Sequence, residues 1–533
     1  MEKKKTFIII AVALLVLSIG ITFAYFIAKT GPGSSANANV TTGTVDDLKF
    51  NVSKENISLN VNQFNFASGS GNITDTVTAT ASLKANSTKN TATYNYYVYF
   101  QIESNNYMYT TTDKKPEIVL SITGPNGEIT SVDGLTYVSA TNADGTVVKG
   151  FDITESKPSV VKIADSYEIS SSSSTNYTNQ EWTFTVTFIN LDTNQVGNQN
   201  KNLTGKVLIQ SNKLIDSVSD VAKSGDNLVT AIQSLSTKSK PSYTGLYHHD
   251  ASLTNGAGDN SYRFAGADPN NYVCFGSDEA TCPTENLYRI IGVIDGKVKL
   301  IHAYGATTDM VGTDEGYLNT YQATNGSYYS SYYKGNGDLT KIGAYKWNKV
   351  KNNNTWSTST TNTINLNKNF LTYLDDKNIK WKNMIADTTW YVGGMTYANG
   401  VYSNAKTTYD YEVGANKDAT TTVTSKIGLM YVSEYYYGAN PDYWTLPGYN
   451  SNNNDYRTAI NDNWLYTGLY ELVISRTSGG SDHAFVVGGD GRVSYVYVDS
   501  RGGYALRPSF SLSSSIKFTS GEGTAVNPIR VNL

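Results

Sequence analysis

The sequence predicts a multidomain protein: an N-terminal hydrophobic signal or anchor helix, then an all-β sandwich, then an α+β domain. Three observations carry this. An apolar run from Phe7 to Ala28 opens the chain, strict apolar/polar alternation recurs up to about residue 213, and Asp-Gly hairpins alternate with short helical stretches from residue 241 onward.

Lys3, Lys4 and Lys5 precede the apolar run, in which Ser18, Gly20 and Thr22 are the only small or polar breaks. About 20 apolar residues suffice to cross a bilayer as one helix. The Thr22-Phe23-Ala24 triplet also offers small residues to a signal peptidase, so cleavage after Ala24 and retention as a membrane anchor both fit residues 1–30. In either case the basic end stays inside and the rest of the chain is expected outside the cell.

An exported chain keeps disulfides. Cys274 and Cys282, the only two cysteines among 533 residues, are expected to close the short loop "FGSDEAT" before a strand. Charged residues make up 17% of the chain, the net charge is −4, and 41 tyrosines accompany abundant Asn, Thr, Ser and Gly. Nothing in this balance favours nucleic acid or an anionic membrane surface. It suits contacts with sugars or proteins through hydrogen bonds and ring stacking, and equally the strand-forming habit of Tyr and Thr.

Residues 31–213 read as the sandwich. In "VTATASL" Val77, Ala79, Ala81 and Leu83 alternate with polar residues, and in "WTFTVTF" Trp182, Phe184, Val186 and Phe188 alternate with threonines. Pro125-Asn126-Gly127 and Asp144-Gly145 are turn signals, and the serine run 170–175 reads as a loop. Residues 214–240 place Leu214, Ile215, Val218, Val221, Leu228, Ile232 and Leu235 at helical spacing, broken at Gly225, and predict a helical connector. Residues 241–533 form the α+β domain. "LYRIIGVIDGKVKLIHAY" predicts a hairpin turning at Asp295-Gly296, and "HAFVVGGDGRVSYVYVD" another at Asp490-Gly491. "FLTYLDD" and "WKNMIAD" predict helical pieces, and "KIGLMYVSEYYYG" a buried strand.

The ordered segments "SYRFAGADPNNYVCFGSD", "CPTENLYRIIGV", "KIGLMYVSEYYYG", "YWTLPGYNSN" and "YALRPSFSLSSSIKF" resemble a domain of exported proteins of Gram-positive bacteria. That domain is itself similar to the C-type-lectin-like fold of formylglycine-generating-enzyme relatives. The resemblance covers nearly all of 241–533 and implies this fold, a cell-surface location, and a last strand after Arg507-Pro508. At the other end, "GITFAYFIAKT" and "TTGTVDDLKF" resemble the start of TasA/camelysin-type biofilm matrix proteins, over roughly 30 residues. That implies cleavage after Ala24 and a sandwich able to assemble.

Enzymatic chemistry is not expected. The cysteines lie near the start of the domain, unlike the deep pair of the formylglycine-generating enzymes. His248, His249 and Asp250 are expected on a loop at the domain entrance, and in a strand the adjacent histidines would point to opposite faces and could not readily share a metal. His302 and His483 sit on predicted strands beside apolar residues, and no H-E-x-x-H occurs. No cofactor is expected, since "GGDGRV" and "NADGTV" do not continue into a calcium ladder, although irregular loops leave open a calcium site assembled from distant oxygens.

Binding is expected in "YWTLPGYNSNNNDY". Tyr449, Asn452, Asn454 and Tyr456 offer rings and amides to sugar hydroxyls, with Trp444, Trp464 and Arg501 bordering them; for the two tryptophans, core positions beneath the loops are the favoured reading. The expected function is that of a cell-surface adhesin whose lectin-like domain grips a glycan or a host or bacterial surface protein. The alternative is a self-assembling subunit of an extracellular fibre or biofilm matrix. With no L-P-x-T-G near "NPIRVNL", attachment is expected through the N-terminal helix, or the protein is secreted free.

Overall fold

The computed structural model describes residues 46–62, 71–88, 91–156, 158–215, 217–237 and 244–533. The N-terminal apolar run and Ala24 lie outside the described residues. Among the described residues no helix is long and apolar enough to cross a membrane. The chain divides into two units, Met1–Leu214 and Ile215–Leu533.

The first unit is a β-sandwich of antiparallel strands. They are β1 (Asp47–Val52), β2 (Ile57–Val61), β3 (Ile73–Lys84), β4 (Ala92–Asn105), β5 (Ile118–Gly124), β6 (Gly127–Glu128), β7 (Thr136–Thr141), β8 (Val147–Asp152), β9 (Ser159–Ser171), β10 (Thr178–Phe188) and β11 (Lys201–Gln210). One sheet runs β1-β3-β10-β5-β8-β7 with β6 on β5, and the other β2-β11-β4-β9. Alternation assigns the faces: Val77, Ala79, Ala81 and Leu83 of β3 and Trp182, Phe184, Val186 and Phe188 of β10 are all buried. Across the layers Phe184 stacks on Phe100 at 6.0 Å, and the Trp182 indole donates to the Tyr96 hydroxyl at 2.9 Å. Both expected turns form, with Gly127 and Gly145 at positive φ. One buried carboxylate, Glu117, accepts from the Thr110 hydroxyl and from the side-chain amides of Gln195 and Asn198, holding three loops at one end.

The second unit is built on the sheet β12 (Gly245–His248), β13 (Tyr262–Ala265), β15 (Leu287–Ile294), β16 (Lys297–His302), then Ser509–Ser511 and Ile427–Gly428, with β14 (Tyr272–Cys274) also paired to β15. Asp295 and Gly296, at φ 50° and 69°, make the two-residue hairpin between β15 and β16. Cys274 and Cys282 form the expected disulfide, with Cα atoms 5.8 Å apart. A separate three-stranded sheet comprises Glu471–Arg476, His483–Val487 and Val493–Tyr497. Its second hairpin turns over Gly488 to Arg492, with the Gly491 amide bonded to the Gly488 carbonyl, a longer loop than a two-residue turn.

Three expectations are corrected. Residues read as a connector fold into short turns of helix, Val218–Asp220, Leu228–Gln233 and Ser234–Thr237, whose Val218, Leu228, Ile232 and Leu235 belong to the core of the second unit. "KIGLMYVSEYYYG" forms only the short strand Ile427–Gly428 and then a helix, Val432–Tyr437, buried on every side. Ser509–Ser511 does follow Arg507-Pro508, but it is not last, because Lys517–Ser520 and Arg530–Asn532 pair after it. "FLTYLDD" is helical as expected, continuing a π-helix, Thr361–Phe370, into Leu371–Lys377; "WKNMIAD" is helical only over Ile379–Asn383.

Short strands leave many backbone groups without ladder partners, and buried polar side chains meet them. The Asn354 amide donates to the carbonyls of Thr477 and Gly480, Asn463 to Tyr435, and Asn271 to Ile290. Buried charges are paired as well. Arg507 donates to Glu471 at 2.8 Å, Lys299 to Glu434 at 2.6 Å between the rings of Trp390 and Tyr431, and Arg263 to Asp259 at 2.6 Å. Glu412, whose carboxyl burial pushes up in pKa, accepts from the Val432 and Ser433 amides and starts their helix.

Candidate ligand-binding surface

Trp444 and Trp464, named as bordering a ligand but favoured as core residues, do lie in the core, and Tyr456, expected to meet a ligand, is a core residue as well. Trp444 is fully buried against Tyr247, His249 and Tyr437, its indole N–H donating to the Ala439 carbonyl at 2.9 Å. Trp464 is buried under the Arg289 guanidinium and donates to Phe264 at 2.8 Å, and Tyr456 is buried with its hydroxyl on the Tyr436 carbonyl at 2.9 Å. Each ring turned inward because its single polar atom found a backbone carbonyl there.

The remaining expected residues stay at the surface. Tyr449 is half-buried, with the guanidinium carbons of Arg457 and Arg492 5.1 and 5.6 Å from its ring centre. Asn452 and Asn454 are exposed in the tight loop that follows, closed by Asp455, which accepts from the Asn450 amide and from Arg457. Arg501 is exposed in the turn after Tyr497, where the Ser500 amide bonds the Tyr497 carbonyl.

One strand, Val493–Tyr497, links these places. At its start the Val493 amide bonds the Gly448 carbonyl, next to Tyr449; at its end comes the Arg501 turn. It is an edge strand, paired only with His483–Val487. Alternation sets Tyr495 and Tyr497 on the face they share with His483 and Phe485. The short helix Tyr397–Val401 lies over that face, with Gly400 against the Phe485 ring, where a Cβ has no room. Its end is tied to the loop by the Tyr449 amide on the Val401 carbonyl.

The result is a continuous aromatic strip. Ring centres are 5.1 Å apart for Tyr402 and Tyr397, 4.4 Å for Tyr397 and Tyr495, 4.7 Å for Tyr495 and His483, and 4.2 Å for His483 and Tyr497. Tyr402, Tyr495 and Tyr497 are 54%, 38% and 57% exposed. Tyr397 and Tyr402 share a 3.2 Å hydroxyl contact, and burial, then that contact, pushes the Tyr397 phenol up in pKa, so it keeps its proton. Such hydroxyls both donate and accept at neutral pH. Sequence reasoning missed these rings, although the Tyr-x-Tyr of "VSYVYVD" already sets two of them on one face.

The other histidines do no joint work. His248 stacks on Tyr262 at 4.3 Å beside Asp250, while its neighbour His249 is buried and accepts from the Ala257 amide. His302 is buried, with ring nitrogens 2.6 and 3.0 Å from the carbonyl oxygens of Tyr304 and Glu285. Among the described residues no three His, Cys, Asp or Glu side chains are grouped to hold a metal ion. No protein-family model matches the chain, and no curated protein matches it.

Proposed function

We propose that this chain is a non-enzymatic bacterial cell-surface protein of adhesin type. Its second unit, read as a C-type-lectin-like domain, binds a glycan along the aromatic strip. The N-terminal apolar run directs export and either anchors the chain or is removed after Ala24. The carrying observation is the exposure of three tyrosine rings, Tyr402, Tyr495 and Tyr497, linked through half-buried Tyr397 and His483 beside the loop of Tyr449, Asn452 and Asn454. Flat rings meet the apolar face of a pyranose, while phenol and amide groups meet its hydroxyls.

The alternative, a fibre or matrix subunit, needs sandwich edges that accept strands from other copies. The long edge strand β9 is poorly suited to this. It carries exposed Asp165 and Glu168, Ser166 at φ 57°, and breaks in register against β4. Bulges and charges of this kind discourage edge pairing. Screening the intact chain against host and bacterial glycans, with Tyr497→Ala alongside, tests the proposal. Specific binding weakened in the variant is expected; a chain that binds no glycan and assembles into fibres instead would favour the alternative.

A further inference from the structure

Resting on the glycan reading, we infer that the strip takes a linear, uncharged oligosaccharide lying along the strand Val493–Tyr497, and not a single terminal sugar. Continuity is the first ground. Tyr402, Tyr397, Tyr495, His483 and Tyr497 follow one another ring to ring with no centre more than 5.1 Å from the next. On the strand itself, Tyr495 and Tyr497 are two residues apart on one face, a rise of about 6.8 Å. A ligand touching only one sugar's breadth would leave most of these rings in water.

Shape is the second ground. Capture of one terminal sugar calls for polar groups converging on a small concave site. Here the outermost rings stand on an edge strand and after a short helix, and Tyr402 and Tyr497 at the two ends are the most exposed of the set. Such a surface spreads its contacts over successive rings instead of converging them on one point.

Charge is the third. Asp490 pairs with Arg492 at 3.4 Å and Asp455 with Arg457 at 2.7 Å, Asp482 lies 2.7 Å from a His483 ring nitrogen, and just past Tyr497 Asp499 and Arg501 bring one charge of each sign. Arg457 and Arg492, which flank Tyr449, are the cations of two of these pairs. With acids at least as numerous as arginines around the rings, a sialylated or sulfated chain meets no net positive charge there, and a neutral chain is favoured.

Calorimetric titration of the intact chain with neutral β-linked oligosaccharides, cello-, xylo- and chito-series from disaccharide to hexasaccharide, tests this. Affinity should rise with length in at least one series. Tyr402→Ala and Tyr497→Ala, acting from opposite ends, should each lower hexasaccharide affinity about fivefold while the near-UV spectrum stays unchanged. A disaccharide bound as tightly as the hexasaccharide would overturn the inference and leave the glycan reading standing. Binding confined to anionic glycans would overturn it in the same way. No binding to any glycan would remove both.

Discussion

The two units solve the same problem, satisfying a buried backbone, by different means. In the sandwich, strands as long as Ala92–Asn105 pair along their length, so the ladder meets most backbone groups, and buried polar side chains such as Glu117, Gln195 and Asn198 serve the loops at one end. The second unit has strands of two to eight residues joined by irregular turns, and its interior is threaded with Asn amides and ion pairs. The lesson concerns composition: asparagine reads as surface in the sequence, yet Asn271, Asn354 and Asn463 are buried struts holding carbonyls that no strand reaches.

If that contrast is right, removing single polar groups should hurt the second unit far more than the first. The largest effect is expected for Glu471→Ala, which leaves the Arg507 guanidinium buried and unpaired. It should cost about 3–5 kcal/mol in urea unfolding. Tryptophan fluorescence reads this unit selectively, because six of the seven tryptophans lie in it and only Trp182 in the sandwich. Next comes the disulfide, which closes a loop of sequence separation 8; replacing both cysteines by alanine should cost about 2–3 kcal/mol in the same assay. Asn354→Ala should follow at about 1–3 kcal/mol. Thr185→Ala, on the outer face of β10 and followed by far-UV circular dichroism of the sandwich strands, should stay within about 0.5 kcal/mol. Equal losses from Asn354→Ala and Thr185→Ala would break the comparison.

Acid sharpens it further. Burial alone would raise the pKa of Asp259, but the Arg263 guanidinium and hydrogen bonds from Ser261 and Tyr409 outweigh it and hold the carboxyl well below its usual range. A carboxylate depressed in the folded state stabilises it above the unfolded value of about 3.9, and that contribution drains away as pH falls below it. Unfolding midpoints followed from pH 5 to pH 2 should therefore drop steeply for the native chain and less steeply for Asp259→Asn. Parallel curves would rule Asp259 out as a source of the acid limb. The smallest expected effect on stability is that of Tyr497→Ala, within about 0.5 kcal/mol, since the ring is mostly in water.

The sandwich was legible because its faces differ: "WTFTVTF" alternates, with Thr183 and Thr185 half-buried between fully buried Trp182, Phe184 and Val186, although Thr187 at the strand's end is itself buried. The β15–β16 hairpin and the disulfide were legible for local reasons, a turn dipeptide and two isolated cysteines. "KIGLMYVSEYYYG" was not, because a helix buried all round carries no periodicity to distinguish it from a strand. Nor was the inward turn of Tyr456, which depends on the Tyr436 carbonyl, whereas core positions for Trp444 and Trp464 were already the favoured reading. The strip was half legible. Tyr495 and Tyr497 share a face by alternation, but that their strand is an edge, and that Tyr397 and Tyr402 join them, follows from partners a hundred residues away.

The central claim is that the strip, and not the amide loop, carries ligand binding. The most direct measurement compares Tyr497→Ala with the double variant Asn452→Ala, Asn454→Ala in affinity for whichever glycan the native chain binds best. The strip account predicts a loss of about fivefold or more for Tyr497→Ala and a smaller one for the double variant. Full affinity in Tyr497→Ala, with binding lost in the double variant, would contradict it and move the site to the Tyr449 loop.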